Sequence, residues 1–513
     1  MLQFTPPKDI SLRPYQLDAL DALRAGIAKG NNRQVLCAPT GAGKTILATD
    51  MLRHANNMGN YAVFLMDRVA LVDQSSAVLD EYGVPHGVLQ GSHDRFSPFA
   101  NVQVASIQTL AKRQLPRQPK LILYDECHAQ YKSTLEWITS NPQAKVIGLS
   151  ATPFAKGMGE FWDDVINVTT AMKLVDEGFL ILPKIYVART PNEADFKLNN
   201  RGEFSDASAA SAGIEIIGDV VEEWERKVHE HFGGPAKTIV FSPTVEHGRE
   251  LCAAFSAAGY NFQQISYLDR GDDERRAKIA EFRRPDTMIH GLVSCGVLTK
   301  GFDVPDCVVG ISCKPYRKSL SSHLQEIGRI MRTHPSKQMA LWLCHSGNIA
   351  RFAPDMWDIW ENGVTSLSKA AKKDSEARSN DDVAREKAVC PECGGGLRHL
   401  TCRECGWEKP ARSSIITVEG TLQEYSRAET FQARDGLKAK CLNDPHAVWR
   451  AALAWCGTRA KGGETGARKW AFKTWKSIYP TGKLGRGAWD LPIPQEHEVG
   501  SDALGLIQRE QKR

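Results

Sequence analysis

The chain has 513 residues, of which 42% are hydrophobic and 24% are charged, an ordinary composition for a globular protein. No run approaches the roughly 18–20 consecutive apolar residues that a membrane span needs, which excludes a transmembrane role. The net charge of +5 hides an asymmetry. Residues 1–363 carry 39 Lys and Arg against 41 Asp and Glu, whereas residues 364–513 carry 26 against 19. The basic second part favours an acidic ligand, although a solvated basic surface gives the same count.

The cysteines and the N-terminus indicate the compartment. The first ten residues lack the basic and apolar segments of a secretion signal. The thirteen cysteines are odd in number, and three of them, Cys295, Cys313 and Cys344, stand inside apolar runs as small hydrophobic residues do. Both features favour a reducing compartment, so we expect a cytoplasmic protein.

Short apolar runs alternate with helical stretches over the first 360 or so residues. The first set of predicted strands is Gln34–Cys37, Ala62–Met66, Val102–Ser106, Leu121–Tyr124 and Val146–Leu149. The second set is Thr238–Phe241, Gln264–Tyr267, Gly291–Cys295, Val308–Ser312 and Met339–Cys344. Continuous apolar strands between helices predict an α/β fold with two parallel sheets, each covered on both faces. The polar stretch Thr190–Gly213 lies at the division between the two sets.

A phosphate-binding loop follows the first predicted strand. Residues 38–45 read APTGAGKT, in the strand–loop–helix setting that such a loop requires. Thr40, Gly41, Ala42 and Gly43 would place backbone N–H groups around phosphate oxygens. Lys44 would reach the β- and γ-phosphates, and the Thr45 hydroxyl would bind Mg²⁺. The loop therefore predicts ATP and Mg²⁺ as cofactors.

A pair of carboxylates ends a later strand. The apolar run Leu121–Tyr124 is followed by Asp125, Glu126, Cys127 and His128. A carboxylate at the end of a strand can hold the Mg²⁺, and a second can orient the attacking water. We therefore predict that Asp125 binds Mg²⁺ and that Glu126 activates water.

The order of these motifs resembles that of superfamily-2 helicases of the DExH type. The resemblance covers residues 8–350 and implies two RecA-like domains. In LRPYQ it implies that Gln16 contacts the adenine, and in LTKGFDVP (298–305) it places Asp303 at the nucleotide. The segment QEIGRIMR (325–332) matches motif VI, whose Arg329 and Arg332 would act as arginine fingers.

The same resemblance assigns coupling and nucleic-acid roles. His128, Ser150 and Thr152 of SATP, and Gln325 would couple hydrolysis to movement. The residues implied to contact nucleic acid in the two RecA-like domains are Arg68, Gln108, Thr109, Thr244 and Thr299. The phrases LRPYQ, SATP, VDEGFL and TKGFDVP resemble the DNA-acting branch that restriction motors share with repair helicases, rather than RNA-acting DEAD-box proteins.

Four cysteines follow a polar segment. Cys390, Cys393, Cys402 and Cys405 form C-x₂-C-x₈-C-x₂-C, which predicts a structural Zn²⁺ site of the zinc-ribbon kind. A redox dithiol pair and four unrelated cysteines are the alternatives. The resulting predicted domains are 1–188 and 189–363 (RecA-like), 364–387 (linker), 388–410 (zinc ribbon), 411–495 (basic, mainly helical) and 496–513 (tail).

The C-terminal region combines basic residues with tryptophans. Residues 427–490 carry 13 Lys and Arg against 5 Asp and Glu. Trp470 and Lys473 would contact a single strand, by stacking and by phosphate attraction. Alternatively, the tryptophans build a helical core, because Trp449, Ala452, Leu453 and Cys456 have helical spacing. The phrase KGGETGARKWAFKTWKSIYP resembles phage- and prophage-encoded helicases.

The predicted function is an ATP-dependent DNA helicase or translocase. Its expected partners are single-stranded or forked DNA and replication or recombination proteins, with no membrane. The alternatives are an RNA helicase and a non-unwinding motor that recruits another protein.

Overall fold

The structure is a computed structural model that describes residues 7–67, 69–91, 93–110, 113, 115–155, 157–187, 217–266, 272–296 and 304–368. It also describes residues 397–398, 401–402, 422–425, 444–460, 463–479, 491–495, 498–499, 503 and 507. Two units are present, residues 1–424 and residues 425–513. Among the described residues, no helix is long and apolar enough to cross a membrane.

A seven-stranded parallel sheet forms the first lobe. Its strands are β1 Arg33–Cys37, β2 Ala62–Met66, β3 Gly87–Leu89, β4 Val102–Ser106, β5 Leu121–Asp125, β6 Lys145–Ser150 and β7 Asp164–Asn167. Their order is β3-β4-β2-β5-β6-β1-β7. The helices are α1 Pro14–Ala28, α2 Lys44–Asn57, α3 Val69–Glu81, α4 Ile107–Leu110, α5 Lys132–Thr139, α6 Met158–Phe161 and α7 Ala171–Asp176.

The central strands are apolar throughout because helices cover both faces of the sheet. Every residue of β2 and β4 is buried. Val63, Leu65 and Tyr124 from these central strands join Trp162 in one core cluster. The order of a parallel sheet brings the carboxyl ends of β1 and β5 to the same edge, where the phosphate loop and the carboxylate pair follow them.

A second seven-stranded sheet forms the second lobe. Its strands are β8 Lys184–Val187, β9 Thr238–Phe241, β10 Phe262–Ser266, β11 Gly291–Cys295, β12 Val309–Ser312, β13 Leu341–Cys344 and β16 Gln423–Glu424. Their order is β10-β11-β9-β12-β13-β8-β16, and β16 is antiparallel to its neighbour. The helices are α8 Ile217–Phe232, α9 Val245–Ala257, α10 Asp272–Arg283, α11 Leu320–Ile330 and α12 Asn348–Asn362.

Two strands of the second sheet correct the predicted domain boundaries. Strand β8 pairs with β13, so the second sheet begins before the predicted boundary at residue 188. Strand β16 pairs with β8, although it belongs to the segment 411–495 that the sequence assigns to the C-terminal domain. Leu422, next to β16, is buried in the core of the second lobe. The predicted buried state of Cys295, Cys313 and Cys344 is confirmed.

The chain passes between the lobes twice. It first crosses between α7 and β8, and it returns after α12. At the return, the Asn167 side chain at the end of β7 holds the backbone of Val364. Its Nδ2 donates to the Val364 carbonyl, its Oδ1 accepts from the Val364 N–H, and both distances are 2.9 Å. Leu367 then packs against the core of the first lobe. The first residues of the predicted linker 364–387 are therefore docked.

A short hairpin lies within the predicted zinc ribbon. Strand β14 (Leu397–Arg398) pairs with β15 (Thr401–Cys402) in antiparallel register, with Leu397 opposite Cys402. Three of the four predicted zinc ligands, Cys390, Cys393 and Cys405, lie outside the described residues. The zinc site therefore stays a prediction.

The C-terminal unit contains two packed helices, α13 (Pro445–Gly457) and α14 (Gly463–Ile478). Asp444 caps α13 by accepting a hydrogen bond from Ala447 N–H at 2.9 Å. Trp449 and Trp475 are fully buried between the helices, and the Trp475 indole N–H donates to the Pro445 carbonyl at 2.9 Å. The four residues with helical spacing, Trp449, Ala452, Leu453 and Cys456, are all buried in this unit.

Candidate nucleotide-binding site

The phosphate loop joins β1 to α2 and has the backbone that such a loop needs. Gly41 and Gly43 have φ angles of +85° and +80°, in the left-handed region that favours glycine. A Cβ atom at Gly43 would lie 2.4 Å from Nε2 of Gln16, so a larger residue there would displace the Gln16 side chain as well as strain the backbone. Helix α2 begins at Lys44, and its first residues line a cavity together with the phosphate loop, where a helix N-terminus favours an anion.

Gln16 braces the phosphate loop from α1. The residue is buried, and its Nε2 donates to the Ala42 carbonyl at 2.9 Å. Its Oε1 accepts a hydrogen bond from Arg13 N–H at 2.9 Å. Both ends of the carboxamide thus contact the protein, and the structure gives Gln16 a role in holding the loop. The adenine contact implied by the sequence stays a prediction.

The two predicted carboxylates follow β5 at the same edge. Glu126 has φ 49° and ψ 46°, a left-handed conformation that is rare for a residue other than glycine. This kink places Glu126 Oε1 3.9 Å from Nζ of Lys44 and Oε2 3.2 Å from Nδ1 of His128. Strained backbone of this kind concentrates at functional sites. Asp125 and Glu126 both line the cavity that the phosphate loop lines.

The predicted coupling residues form one polar chain. Nδ1 of His128 lies 3.0 Å from the Ser150 hydroxyl, which also accepts a hydrogen bond from Thr152 N–H at 3.0 Å. The Thr152 hydroxyl shares a hydrogen bond with the hydroxyl of Ser321 at 2.6 Å and accepts one from Gln325 Nε2 at 3.4 Å. Ser321 and Gln325 belong to α11, so the chain runs from one lobe into the other. The sequence does not single out Ser321, because its role depends on its position across the cleft.

The second lobe contributes two arginines to the cavity. Arg329 near the end of α11 and Arg332 just beyond it are half-buried. Both line a cavity of about 500 Å³ together with Lys44, Thr45 and Asp125 of the first lobe. The structure therefore brings together the residues predicted to hold phosphate, to hold Mg²⁺ and to act as arginine fingers.

Close packing keeps the phosphate loop next to motif VI. A Cβ atom at Gly328 would lie 2.8 Å from the Thr40 hydroxyl oxygen, so only glycine permits this approach. Leu180 forms an isolated antiparallel bridge with Arg332, and Ile181 N–H donates to the Met331 carbonyl at 2.7 Å. The sequence does not predict these contacts, since they join residues far apart in the chain.

Burial acts on two ionisable groups of α11, Glu326 and His323. Glu326 is fully buried in the second lobe, and burial raises the pKa of its carboxyl group to about 8. The Tyr316 hydroxyl donates to Glu326 Oε1 at 2.5 Å. Burial also lowers the pKa of His323 to about 3. Burial thus opposes a negative charge on Glu326 and a positive charge on His323.

The residues predicted to contact nucleic acid lie at the ends of strands. The Gln108 side chain, beyond β4, donates to the Asp67 carbonyl at 3.0 Å. The Thr109 hydroxyl oxygen lies 2.8 Å from the Ser106 hydroxyl and accepts from Gly91 N–H at 3.3 Å. Thr244 follows β9 and caps α9. The predicted residues Arg68, Thr299 and Asp303 lie outside the described residues.

The two predicted contacts in the C-terminal unit differ in exposure. Lys473 on α14 is exposed. Trp470 on the same helix is half-buried against the core of that unit. The structure thus supports a core role for part of the Trp470 ring, while its nucleic-acid contact stays a prediction.

Comparison with protein families identifies two domains in this chain. Residues 9–155 match the family described as the type III restriction enzyme, res subunit. Residues 221–334 match the helicase conserved C-terminal domain. These ranges correspond to the sheet that carries the phosphate loop and to the sheet that carries the two arginines.

Individual relatives agree with this assignment. The proposed mitochondrial ATP-dependent helicase irc3 of Schizosaccharomyces pombe is 27% identical over 67% of this chain and 58% of its own length. A 51.5 kDa protein of a Lactococcus phage is 26% identical over 72% of this chain and 76% of its own length. The chain thus spans 58% of the length of the first relative and 76% of the length of the second.

One solved structure shares the fold. The ATP-dependent type ISP restriction-modification enzyme LlaBIII, solved bound to DNA, superimposes with a TM-score of 0.50 at 16% identity. The match covers 66% of this chain and 28% of that enzyme. From its two domains, its motif order and its relatives, the chain belongs to superfamily 2 of the helicases, in the branch that includes the motors of restriction enzymes.

Proposed function

We propose that this protein is an ATP-dependent DNA helicase or translocase. The observation that carries the proposal is the single cavity between the lobes, which the phosphate loop and Asp125 line from one side and Arg329 and Arg332 from the other. Residues of both lobes are therefore needed to complete such a site around a nucleotide. Closure driven by a ligand and opening after hydrolysis are the basis of domain movement in such motors.

The residues present fit ATP and Mg²⁺. Lys44 and the loop amides would hold the β- and γ-phosphates, while the Thr45 hydroxyl and Asp125 would hold the metal, which neutralises phosphate charge. Glu126 would orient the attacking water. The arginines would stabilise the charge that develops on the transferred phosphoryl group. Through the hydrogen bonds that join His128 to Gln325, a change at the nucleotide would affect the position of the second lobe.

The choice of DNA over RNA is supported by the branch. The matched family is a restriction-enzyme subunit, and the structural relative LlaBIII was solved on DNA. With a phage protein among the relatives, we place the activity in phage or bacterial DNA replication, recombination or repair. The alternatives are an RNA helicase and a motor that recruits a partner without unwinding.

Two assays test this function. ATP hydrolysis is measured with single-stranded DNA and with RNA of the same sequence, and strand displacement is measured on duplexes with 3′ or 5′ overhangs. We expect stronger stimulation by DNA and displacement on one of the two duplexes. Greater stimulation by RNA would overturn the DNA assignment. Strong hydrolysis without displacement on either duplex would favour the non-unwinding motor.

Zinc binding is the next element of the proposal. The hairpin of β14 and β15 lies between the two cysteine pairs, and the second pair begins at Cys402 in β15. Four thiolates would close a tetrahedral site without an open position, which suits a structural role.

Metal analysis should find about one Zn²⁺ per chain, as a four-thiolate site requires. Replacing Cys390 and Cys393 together with serine should remove it, because two ligands do not retain the ion. Replacing Cys252, a cysteine of the second lobe, serves as the control and should leave the zinc content unchanged. A native protein without zinc would contradict the ribbon.

The C-terminal unit is proposed to bind DNA through its basic face. Lys469 and Lys473 are exposed one helical turn apart on α14, while Trp475 on the same helix is buried. A helix with an apolar face in the core and lysines outside can attract phosphates without disturbing its packing.

Deletion of residues 426–513 should weaken DNA binding more at low salt than at high salt. The deletion begins after β16, so that the second sheet stays complete. Each lost phosphate contact on a single strand should reduce the slope of log K against log salt by about 0.7. A Lys469→Ala/Lys473→Ala variant should lose part of the slope, with Lys29→Ala as the control. An unchanged slope would mean that this unit has only a structural role.

A further inference from the structure

A buried lysine contacts the backbone between the two arginines. Lys337 is 6% exposed and lies between Arg332 and β13. Its Nζ donates hydrogen bonds to three backbone carbonyl groups: Cys307 at 2.6 Å, Pro305 at 3.4 Å, and Ile330. An ammonium group has three protons, and these three acceptors can use all of them.

The three carbonyl groups come from different segments of the second lobe. Pro305 is the last residue of LTKGFDVP, the segment that resembles motif V, and Cys307 leads into β12. Ile330 lies within motif VI, between Arg329 and Arg332. One side chain therefore connects the end of motif V to the backbone between the two arginines.

The buried ammonium group of Lys337 must be well hydrogen-bonded. Burial of an ammonium group is unfavourable unless hydrogen bonds replace its water. Burial lowers the pKa of Lys337 to about 8, while the nearby Cys307 and Asp306 side chains act in the opposite direction and Arg332 adds to the lowering. A methionine of similar length would fill the space but leave the three carbonyl groups without their donor.

We propose that Lys337 is a positioning residue that couples motif V to motif VI, so that binding of nucleic acid at one sets the arginines at the other. The inference rests on the proposed function, because it adds a positioning residue to the nucleotide site of an ATP-dependent motor. Through the Ile330 carbonyl, Lys337 holds the turn from which Arg332 reaches the cavity. Through the Pro305 carbonyl, it holds the exit of the segment implied to contact nucleic acid.

Lys237 provides a matched control. It is also largely buried, and its Nζ donates to Asp306 Oδ2 at 2.5 Å and to the Arg284 carbonyl at 3.3 Å. It therefore supports the same end of motif V without contacting motif VI. Loss of either lysine removes a buried charge next to Asp306 or Cys307, but only Lys337 joins the two motifs.

The test compares Lys337→Met with Lys237→Met in the full-length protein. For each variant, kcat and KM for ATP are measured with and without saturating single-stranded DNA, together with Tm. We expect Lys337→Met to lower the DNA-stimulated kcat about 10- to 100-fold, as small misplacements of catalytic groups do, with KM unchanged. Lys237→Met should lower Tm but keep the stimulated kcat. Lys337→Gln, whose amide can serve two carbonyl groups, should be intermediate.

Equal losses of Tm with an unchanged stimulated kcat in both methionine variants would overturn the proposal. So would a Lys337→Met variant whose KM rises while kcat stays normal. If Lys337 variants do not fold, hydrogen exchange of the wild type decides. A non-hydrolysable ATP analogue should protect residues 304–309 together with residues 329–337, and protection of only the second segment would refute the coupling.

The proposed function can fail separately. A wild-type protein whose ATP hydrolysis does not respond to DNA would contradict the DNA motor. The kcat of Lys337→Met without nucleic acid would still be expected to fall below that of Lys237→Met, because the arginines depend on the Ile330 turn in either case.

Discussion

A Lys44→Ala variant is expected to lose ATP hydrolysis by about 10²- to 10³-fold or more, since removal of one preorganised hydrogen-bond donor from a catalytic site has an effect of that size. Nζ of Lys44 is mostly buried and lies 3.9 Å from the Glu126 carboxylate, at the N-terminus of α2. Its removal takes away the only lysine that lines the described cavity. The measurement is steady-state phosphate release with and without single-stranded DNA.

The control for this substitution is Lys29→Ala. Lys29 is exposed just after α1 in the same lobe, outside the cavity, so its loss should leave hydrolysis at the wild-type rate. Retained turnover in Lys44→Ala would mean that the phosphate loop is not the site of hydrolysis. Far-ultraviolet circular dichroism would establish that both variants are folded.

Substitution of Arg329 or Arg332 by alanine is expected to lower hydrolysis about 10³- to 10⁵-fold, the range known for arginine fingers. Binding of ATP should persist, because the phosphate loop belongs to the other lobe. The measurement combines phosphate release with binding of a fluorescent ATP analogue. A split between lost hydrolysis and retained binding is the specific result, since general unfolding would remove both.

Arg284→Ala is the matched control for the arginines. This residue also belongs to the second lobe, but it is exposed beyond α10 and paired with Asp286. Its substitution should leave the rate of hydrolysis unchanged. If Arg329→Ala and Arg332→Ala both hydrolysed ATP at the wild-type rate, the second lobe would not supply cations to the reaction.

The sheets were largely predictable because their central strands are buried on both faces. All ten strands predicted from apolar runs are present, with ends that differ by at most two residues. The strands that the sequence did not predict are short. Strand β7 is half-exposed and contains two polar residues, and both residues of β16 are exposed. Strand β8 has two buried residues after its exposed Lys184, and its place in the second sheet depends on β13, which comes much later in the chain.

The nucleotide site could be assembled from the sequence one motif at a time. A glycine-rich loop after a strand and acids at a strand end each have a local chemical reason, so Lys44 and Asp125 could be predicted. Contacts across the cleft could not. Gly328 meets Thr40, and Ser321 meets Thr152, only because the lobes fold against each other. The sequence around Ser321 and around Gly328 contains no pattern that predicts these contacts.

The C-terminal unit shows a limit of another kind. Helical spacing predicts a core around Trp449 and Leu453, and both residues are buried there. The sequence could not show which tryptophans stay exposed enough to stack on nucleic acid, because Trp470 and Trp475 lie on one helix and differ in burial. Basic residues are informative only once the apolar face of their helix is known.

The two chain crossings restrict how the lobes can move. The first lies between α7 and β8, where Ile181 bonds to Met331, and the second is the return at Val364, which Asn167 holds by two hydrogen bonds. Two fixed points define one axis of rotation. Rotation of the lobes about any other axis would disturb the hydrogen bonds at one of these points. Opening and closing about that axis is therefore the movement of the lobes that leaves both connections intact.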